Sequence, residues 1–282
     1  QYPHNSYAVV GGITTNILPM HLVKVENYIF QVIRFFQQNL VNVDIEKFLL
    51  CENIEHLFSQ EGELPDLMNL LLVKGLDEIG KSYDQFVVFG NNSYFKSGKS
   101  IKTRVQRNVD IKFVEEFDIS NSKAKNVMYK NKYYEVGPLS RAMINKTPLI
   151  KDAHRRYGDS VFSRILARIC EIPQLLHHSL YLLQQIDCSE PSYIKPEQKI
   201  QEISAKGSSA IEAARGSLIH KVKLHKGIIQ KYEIITPTQW NLGNGTKEYP
   251  AIAQNAMIGL DDVKTAELVF KSFDVCSVCT TQ

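Results

Sequence analysis

The sequence has little net charge, few cysteines and no long apolar run, and each shortage argues against a class of protein. A net charge of +3 over 282 residues is too small to predict a surface for nucleic acid or for an anionic membrane. The five cysteines are odd in number and scattered, which argues against a disulfide framework and favours a reducing compartment. The longest apolar stretch, PDLMNLLLVKGL, is shorter than the ~20 residues of a membrane span.

The first residues, QYPHNSYAVV, also lack two features of a typical translated N-terminus. They contain no initiator methionine, and they have no basic region followed by an apolar region, as a signal peptide would. We therefore expect a processed or partial sequence. The hydrophobic fraction of 44% and the charged fraction of 22% are those of a globular protein, and the length suits one large or two ordinary domains.

Apolar residues at three- and four-residue intervals predict several amphipathic helices. One covers VENYIFQVIRFFQQNL at 25–40, and further helical segments are predicted at 45–72, at 159–186 and at 261–272. Pro173 lies inside the third segment and should kink or split it, because proline cannot donate the helical hydrogen bond.

Two regions have the aromatic and β-branched texture of short strands, at 86–137 and at 217–236. Turns are predicted at 130–132 and at His225-Lys226-Gly227, the second closing a hairpin of alternating apolar residues. The predicted fold class is therefore mainly α with small β segments, an α+β fold.

The only close cysteine pair, Cys276 and Cys279, lies three residues from the last residue of the sequence. A redox disulfide usually begins a helix, whereas this pair follows one. A zinc site needs two more ligands, and soft redox metals such as nickel and iron also bind thiolate pairs. The pair could equally be two small buried side chains without a function.

Four other stretches decide between these alternatives when they are taken together with SFDVCSVC at 272–279. They are PHNSYAVVGGIT (3–14), YEVGPLSR (134–141), IEAARGSLIH (211–220) and ITPTQWN (235–241). In order and spacing the five stretches resemble the large subunit of nickel–iron hydrogenases. The corresponding family motifs are P-H-P-x-x-x-V-V-G-G-V-T, E-V-G-P-L-A-R, E-A-P-R-G-x-L, V-P-T-T-W-N and D-P-C-x-x-C-x-x-H.

The resemblance covers almost the whole chain, and it implies one large-subunit domain over 1–282 with a helical-bundle core that buries the C-terminal cysteine tail. In the family, nickel is held by four thiolates from two C-x-x-C pairs, and the first pair precedes the region that this sequence covers. The resemblance therefore implies that the N-terminal portion is absent here. It also implies a tail that either was processed by a protease or never carried an extension.

The resemblance implies the metal ligands and the two catalytic residues. Cys276 matches a terminal nickel thiolate, and Cys279 matches the thiolate that bridges nickel to an iron carrying cyanide and carbon monoxide. Arg215 matches the arginine near a cyanide, and Asp274 matches a carboxylate near the active site. The structural alternatives are a surface salt bridge for Arg215 and a helix-end polar residue for Asp274.

Three more residues match the ligand pocket of the iron. Leu218 corresponds to an apolar wall, Pro237 to a packed proline, and Thr238 to the hydroxyl donor to the second cyanide. His4, His220 and Arg141 also match family positions, but we assign them to packing and hydrogen bonding.

The sequence departs from the family pattern at three positions. Ala214 and Val275 stand where the family has proline, and Gln282 stands where many members have a histidine that binds magnesium. Glutamine offers a carbonyl oxygen to a hard cation, so a magnesium site would depend on that oxygen.

The implied function is reversible heterolytic cleavage of H2, with electrons passed to an iron–sulfur small subunit. Maturation proteins, and a processing protease, would be further partners. The location would be cytoplasmic, or at a membrane through partners. The alternatives are a regulatory hydrogen sensor with low turnover and a structural relative without metal, although Cys276, Cys279 and Arg215 argue against the last.

Overall fold

The structure is a computed structural model that describes residues 8–9, 11–90, 94–118 and 125–276. Helices form the larger part of it, and short antiparallel sheets form the rest, which confirms the predicted α+β class. The helices are α1 Pro19–Phe36, α2 Ile45–Leu49, α3 Ile54–Phe58, α4 Glu63–Val73, α5 Pro138–Asn145, α6 Pro148–Tyr157, α7 Val161–Gln184, α8 Pro237–Leu242, α9 Ile252–Met257 and α10 Val263–Ser272.

The helical segment predicted at 45–72 is wrong in one respect, because it consists of three helices, α2, α3 and α4. Asn53 begins α3, where its side chain accepts a hydrogen bond from the His56 backbone N–H at 2.8 Å. Gly62 precedes α4 with a φ of 135°, and a Cβ there would lie 2.7 Å from the Leu40 carbonyl oxygen. Local capping and one close backbone contact therefore divide the segment.

Helix α7 crosses the centre of the helical half without interruption. Ser160 caps its first turn, and the helix continues through the buried Pro173, so the predicted split does not occur. Residues of α7 pack against α1, α5 and α6, and Phe162 and Leu166 are buried among them. Tertiary packing on several sides offsets the hydrogen bond that proline removes.

Within the described residues, the strands form four small antiparallel sheets. They are β1 Ala8–Val9, β2 Gly12–Ile13, β3 Gln85–Val88, β4 Gly98–Ile101, β5 Arg104–Gln106, β6 Val114–Asp118, β7 Lys125–Tyr129, β8 Ala205–Ala213, β9 Gly216–His225 and β10 Ile228–Ile235. The sheet orders are β1-β2, β3-β4-β5, β6-β7 and β10-β9-β8.

The hairpin predicted at 225–227 is confirmed, and it contains one strand more than the sequence indicated. His225 pairs with Ile228, and the two turn residues Lys226 and Gly227 both have positive φ. Strand β8 was missed; it pairs with β9 over its whole length. The turn predicted at 130–132 is present as a tight two-residue turn, because Lys130 and Asn131 have positive φ and Tyr129 and Lys132 exchange both backbone hydrogen bonds.

Two glycines of the first motif fit against a distant loop. A Cβ on Gly11 would lie 2.1 Å from the Ile194 carbonyl oxygen, and a Cβ on Gly12 would lie 2.1 Å from that of Ser192. Only glycine therefore allows β2 to approach this connection between α7 and β8. His4 lies outside the described residues.

Three buried apolar clusters support these elements. One lies among α1 to α7, one lies between the sheets around Trp240 and Tyr129, and one lies beneath α9 and α10 around Val269 and Phe273. Among the described residues, no helix has the length and apolar character needed to cross a membrane.

Candidate functional site

The turn between β8 and β9 carries Arg215 and presses against the YEVGPLSR motif. Gly216 has a φ of 132°, and a Cβ on it would lie 2.6 Å from Val136 Cγ2 and 2.8 Å from the Gly137 nitrogen. Gly137 has a φ of 122°, and a Cβ on it would lie 3.1 Å from the Arg215 carbonyl oxygen. Two glycines from two motifs therefore allow the two backbones to come into contact.

Arg141, the last residue of YEVGPLSR, fixes this turn from beneath. Its guanidinium is buried and makes a bidentate pair with Glu171 of α7 at 2.7 and 2.6 Å. It also donates to Glu212 at 3.1 Å and to the carbonyl oxygens of residues 213 and 214 at 2.9 Å. All these contacts are charge-assisted, and those with Glu171 and Glu212 are largely shielded from water, so they hold the backbone that carries Arg215.

Glu212 completes the network on the other side of the turn. It accepts hydrogen bonds from the Ser217 hydroxyl and from the backbone N–H groups of Phe89 and Gly90, the latter two at 3.3 Å. Two carboxylates thus share the single Arg141 guanidinium, and Glu212 also uses neutral donors. Removing the arginine would leave buried negative charge without compensation.

The ITPTQWN motif is joined to the YEVGPLSR motif through Asn241, near the end of α8. The Asn241 side chain accepts from the Val136 N–H and donates to the Val136 carbonyl, both at 3.0 Å. Ile235 of β10 pairs with Ile219 of β9, so Pro237 and Thr238 follow β10 at the end of the sheet where Leu218 lies. Pro237 is buried, whereas Leu218 and Thr238 are half-buried.

The backbone that leads to Cys276 is held by three arginines. Arg168 of α7 donates to the Ser272 carbonyl at 2.8 Å, and the Arg164 guanidinium stacks 3.9 Å from the centre of the buried Phe273 ring. Arg215 Nε donates to the Asp274 carbonyl at 2.9 Å and lies 3.4 Å from Asp274 Oδ2. Ser272 and Phe273 are buried, whereas Asp274, Val275 and Cys276 are half-buried.

Of the two α7 arginines that contact the tail, Arg164 is fully paired with a carboxylate and Arg168 is not. Arg164 makes a bidentate pair with Glu135 at 2.9 and 2.8 Å and also donates to the Gly80 carbonyl. Arg168 is less well compensated, because it donates to the neutral Ser272 carbonyl and its Nε lies 3.9 Å from the carboxylate oxygen Asp274 Oδ2. Burial therefore lowers the pKa of Arg168, and Asp274 opposes that shift.

The structure brings together Arg215, Asp274 and the backbone before Cys276. Leu218, Pro237 and Thr238 lie at the end of the neighbouring hairpin, and Cys279 lies outside the described residues. A small cavity of about 10 Å³ separates the tail from the YEVGPLSR motif and is lined by Glu135, Arg168, Arg215, Asn241 and Asp274, among others.

Arg168 and Glu171 were not predicted from the sequence. A signal for them exists, because Arg164, Arg168 and Glu171 recur at intervals of four and three residues in a helix whose neighbouring positions are largely apolar. That spacing places all three on one face of α7. A charged stripe on a buried helix predicts polar partners, here the tail and the turn.

A complete metal site cannot be assembled from the described part of the chain. It contains no group of three or more His, Cys, Asp or Glu side chains placed to hold a metal ion. Of the two predicted metal ligands, Cys276 falls within the described residues.

Comparison with known proteins identifies the chain's relatives. The family model described as nickel-dependent hydrogenase matches residues 53–282. Sulfhydrogenase 1 subunit alpha of Pyrococcus furiosus is 27% identical over 209 residues, which cover 70% of this chain and 47% of that protein. The periplasmic [NiFeSe] hydrogenase large subunit of Desulfomicrobium baculatum is 28% identical over 130 residues, 40% of this chain and 25% of that protein.

Solved structures show the same fold. The Ni-Fe-Se hydrogenase of D. vulgaris Hildenborough in the reduced state superposes with a TM-score of 0.78 at 21% identity, covering 97% of this chain and 64% of that one. The reduced, active form from Desulfomicrobium baculatum gives a TM-score of 0.73 at 24% identity. The chain thus spans about half, or less, of the curated relatives named here and about two thirds of these structures. Because the family model matches most of this chain, the chain belongs to the nickel-dependent hydrogenase family.

Proposed function

We propose that this chain is part of the catalytic large subunit of a nickel–iron hydrogenase, which cleaves H2 reversibly and heterolytically. Its electrons would pass to an iron–sulfur small subunit, and maturation proteins would load the metals. The contact of Arg215 with Asp274, two residues before Cys276, is the observation that carries the proposal. Residues 1–282 would form part of one large-subunit domain.

The donors present fit one half of a nickel–iron centre. Cys276 and Cys279 would supply two thiolates, which suit soft metals. The remaining thiolates would come from another C-x-x-C pair, which this sequence does not contain. Arg168 and Arg215 place positive charge beside the backbone that precedes Cys276, and such charge favours a thiolate. When bound, the nickel–iron centre, with cyanide and carbon monoxide on iron, would supply the electron-pair acceptor for H2.

The residues of the chain would position groups and move the proton. Arg215 presents a planar fork of donors, and the Asp274 carbonyl fixes its Nε. Asp274 Oδ2, 3.4 Å from that nitrogen, is a carboxylate oxygen that can accept a proton near the tail. Leu218, Pro237 and Thr238 would line the pocket of the iron ligands.

The geometry is also compatible with a structural role for Arg215. The Arg215 and Asp274 side chains are 41% and 37% exposed, and an exposed ion pair contributes only about 0–1 kcal/mol to stability. A change that keeps the charge but removes the planar fork separates the two roles.

The test is the Arg215→Lys variant of the complete protein, assembled with its partner. H2-dependent dye reduction, normalised to nickel content, should fall by about 10²–10³-fold, as when one preorganised group is lost. The matched control is Arg104→Lys, an exposed residue on β5, which should leave turnover unchanged.

Two outcomes would contradict the proposal in different ways. Unchanged turnover at full nickel occupancy would remove Arg215 from the catalytic residues. Very low turnover of the unaltered protein at full nickel occupancy would instead support the regulatory hydrogen sensor.

A further inference from the structure

A groove of about 520 Å³ lies on the face of the β10-β9-β8 sheet, between its outer half and the short 3-10 turn at Ile111–Phe113. Five lysines line it together with two carboxylates, Asp110 and Glu233. The lysines are Lys112, Lys206, Lys221, Lys223 and Lys231. This excess of positive charge has no part in the hydrogenase site described above.

Three of the lysines form one row across the three strands. Lys206 of β8 pairs directly with Lys223 of β9, and Lys223 pairs with Lys231 of β10. Neighbouring strands lie about 4.8 Å apart, so the three side chains leave the same face of the sheet within roughly 10 Å. Like charges directly opposite each other destabilise a sheet, so the row carries a repulsive cost in the isolated chain.

Compensation within the groove is incomplete. Lys231 pairs with Glu233 at 2.6 Å, and Lys112 pairs with Asp110 at 2.9 Å. The hydrogen bond from Lys231 lowers the pKa of Glu233, and the charges of Lys221 and Lys125 act in the same direction. Lys206 and Lys223 have no carboxylate within 4.0 Å among the residues that the structure describes.

The chemistry of the lining argues for carboxylates as the complementary groups. Phosphate sites commonly use arginine forks or the N–H groups of a helix N-terminus. The groove has no arginine in its described lining, and the Asp110 carboxylate already accepts from the Lys112 N–H at the start of the 3-10 turn. Grooves for single-stranded nucleic acid add aromatic platforms, and the described lining contains none.

We propose that this groove docks an acidic surface of a partner protein, with Lys206 and Lys223 as its principal contacts. Flexible lysines act as point charges, which suits a salt-sensitive contact. The two carboxylates of the groove break the uniform positive charge and would reject a basic surface at those places. The carboxylates of the partner would then reduce the repulsion between the lysines of the row.

The probe is a fluorescein-labelled peptide of eight glutamates, and its binding to the complete protein is followed by fluorescence anisotropy. Binding should weaken markedly between about 0.02 M and about 0.15 M salt, because screening shortens the range of exposed charges. The double variant Lys206→Gln/Lys223→Gln should weaken it about ten-fold at the lower salt concentration. The matched control, Lys24→Gln/Lys151→Gln, removes the same charge from exposed positions on α1 and α6 and should change affinity less than about two-fold.

Three results would overturn the proposal. They are no binding by the unaltered chain at low salt, equal weakening in both double variants, and stronger competition by inorganic triphosphate or an oligothymidylate than by unlabelled peptide.

A melting experiment tests the row of lysines independently of any ligand. Lys223→Gln should raise the melting temperature by about 1–3 °C at low salt, because it removes a like charge from the row. A fall would show that the row is not repulsive, and would remove the reason for a partner.

Discussion

Arg168 gives the sharpest test of how the tail is held. Its guanidinium donates to the carbonyl of Ser272, the last residue of α10, and lies 3.9 Å from Asp274 Oδ2. The last carbonyls of a helix have no partner within the helix, and a cation at this end is favourable. Arg168→Met keeps most of the apolar stem and removes every donor.

The burial of the Ser272 carbonyl sets the free energy that Arg168→Met should cost. The Ser272 residue is only 3% exposed, and a hydrogen bond from a charged donor to such a group contributes about 1.5–3 kcal/mol. The pair with Asp274 adds little, because both side chains are more than 30% exposed and solvent screens them. We therefore expect a loss of about 2 kcal/mol, which is a roughly thirty-fold change in the equilibrium for local opening of the tail.

Hydrogen–deuterium exchange measures this opening directly. The Phe273 and Asp274 amides donate to carbonyls of α10, so their exchange reports whether the last turn and the tail remain closed. Both amides should exchange about thirty-fold faster in Arg168→Met. Arg34→Met, which removes an exposed arginine of α1, should leave them unchanged, and Arg168→Lys should give an intermediate rate.

Two results would refute the reasoning. If the two amides exchange at the original rate, Arg168 does not hold the tail. If exchange rises equally across the whole chain and the melting temperature falls, Arg168 supports the fold as a whole.

Three further predictions concern stability and reactivity. Burial opposes ionisation of Asp152, but hydrogen bonds and arginines hold the pKa of this carboxyl below its ordinary value of 3.8. The carboxylate therefore stabilises the fold above that pH, and the stabilisation is lost as pH falls below it. In acid titrations of unfolding, the difference in unfolding free energy between the unaltered protein and Asp152→Asn should shrink below that pH. Burial raises the pKa of the Cys51 thiol to about 11 and raises that of Cys170 as well, so native-state alkylation at neutral pH, followed by mass spectrometry, should modify both far more slowly than Cys188, which is half-buried. Gly216→Ala should lower the melting temperature far more than Gly75→Ala, because both glycines have positive φ but only Gly216 has no room for a Cβ; equal losses would show that backbone strain alone decides.

Much of the fold was predictable because its long elements follow simple patterns. The apolar stripe of α1, the extent of α7 and the hairpin of β9 and β10 all follow from periodicity and turn residues. Strand β8 could not be found in this way, since AKGSSAIEA has no alternation and few β-branched residues. It is a strand because β9 supplies its hydrogen bonds, which is a tertiary effect.

The candidate site likewise contains residues that the sequence indicated and residues that only the structure reveals. The resemblance indicated Arg215 and Asp274, and the structure places them in contact, while their catalytic roles stay predictions. Arg168 carries no family motif, and its importance arises from where helix α7 passes the tail. The spacing of Arg164, Arg168 and Glu171 indicates that α7 has polar partners, but it does not identify them, because the contact between Arg168 and Ser272 joins segments 104 residues apart.

That long-range assembly has a kinetic consequence. The hydrogen bond between Val136 and Asn241 spans 105 residues, and the one between Arg168 and Ser272 spans 104. Closing a flexible loop of that length costs about 4 kcal/mol of chain entropy, so such contacts tend to form after the local helices and hairpins.

Synthesis of the chain imposes an order on these closures. At ~5–20 residues per second, the 59 residues that separate Asp274 from Arg215 need about 3–12 s to be made. During that interval Arg141 of α5 can already join the turn of the hairpin to α7, whereas Arg168 and Arg215 still lack their partners on the tail. A nascent chain therefore passes through a state in which the half-built site is open on the side where residues 272–274 later pack.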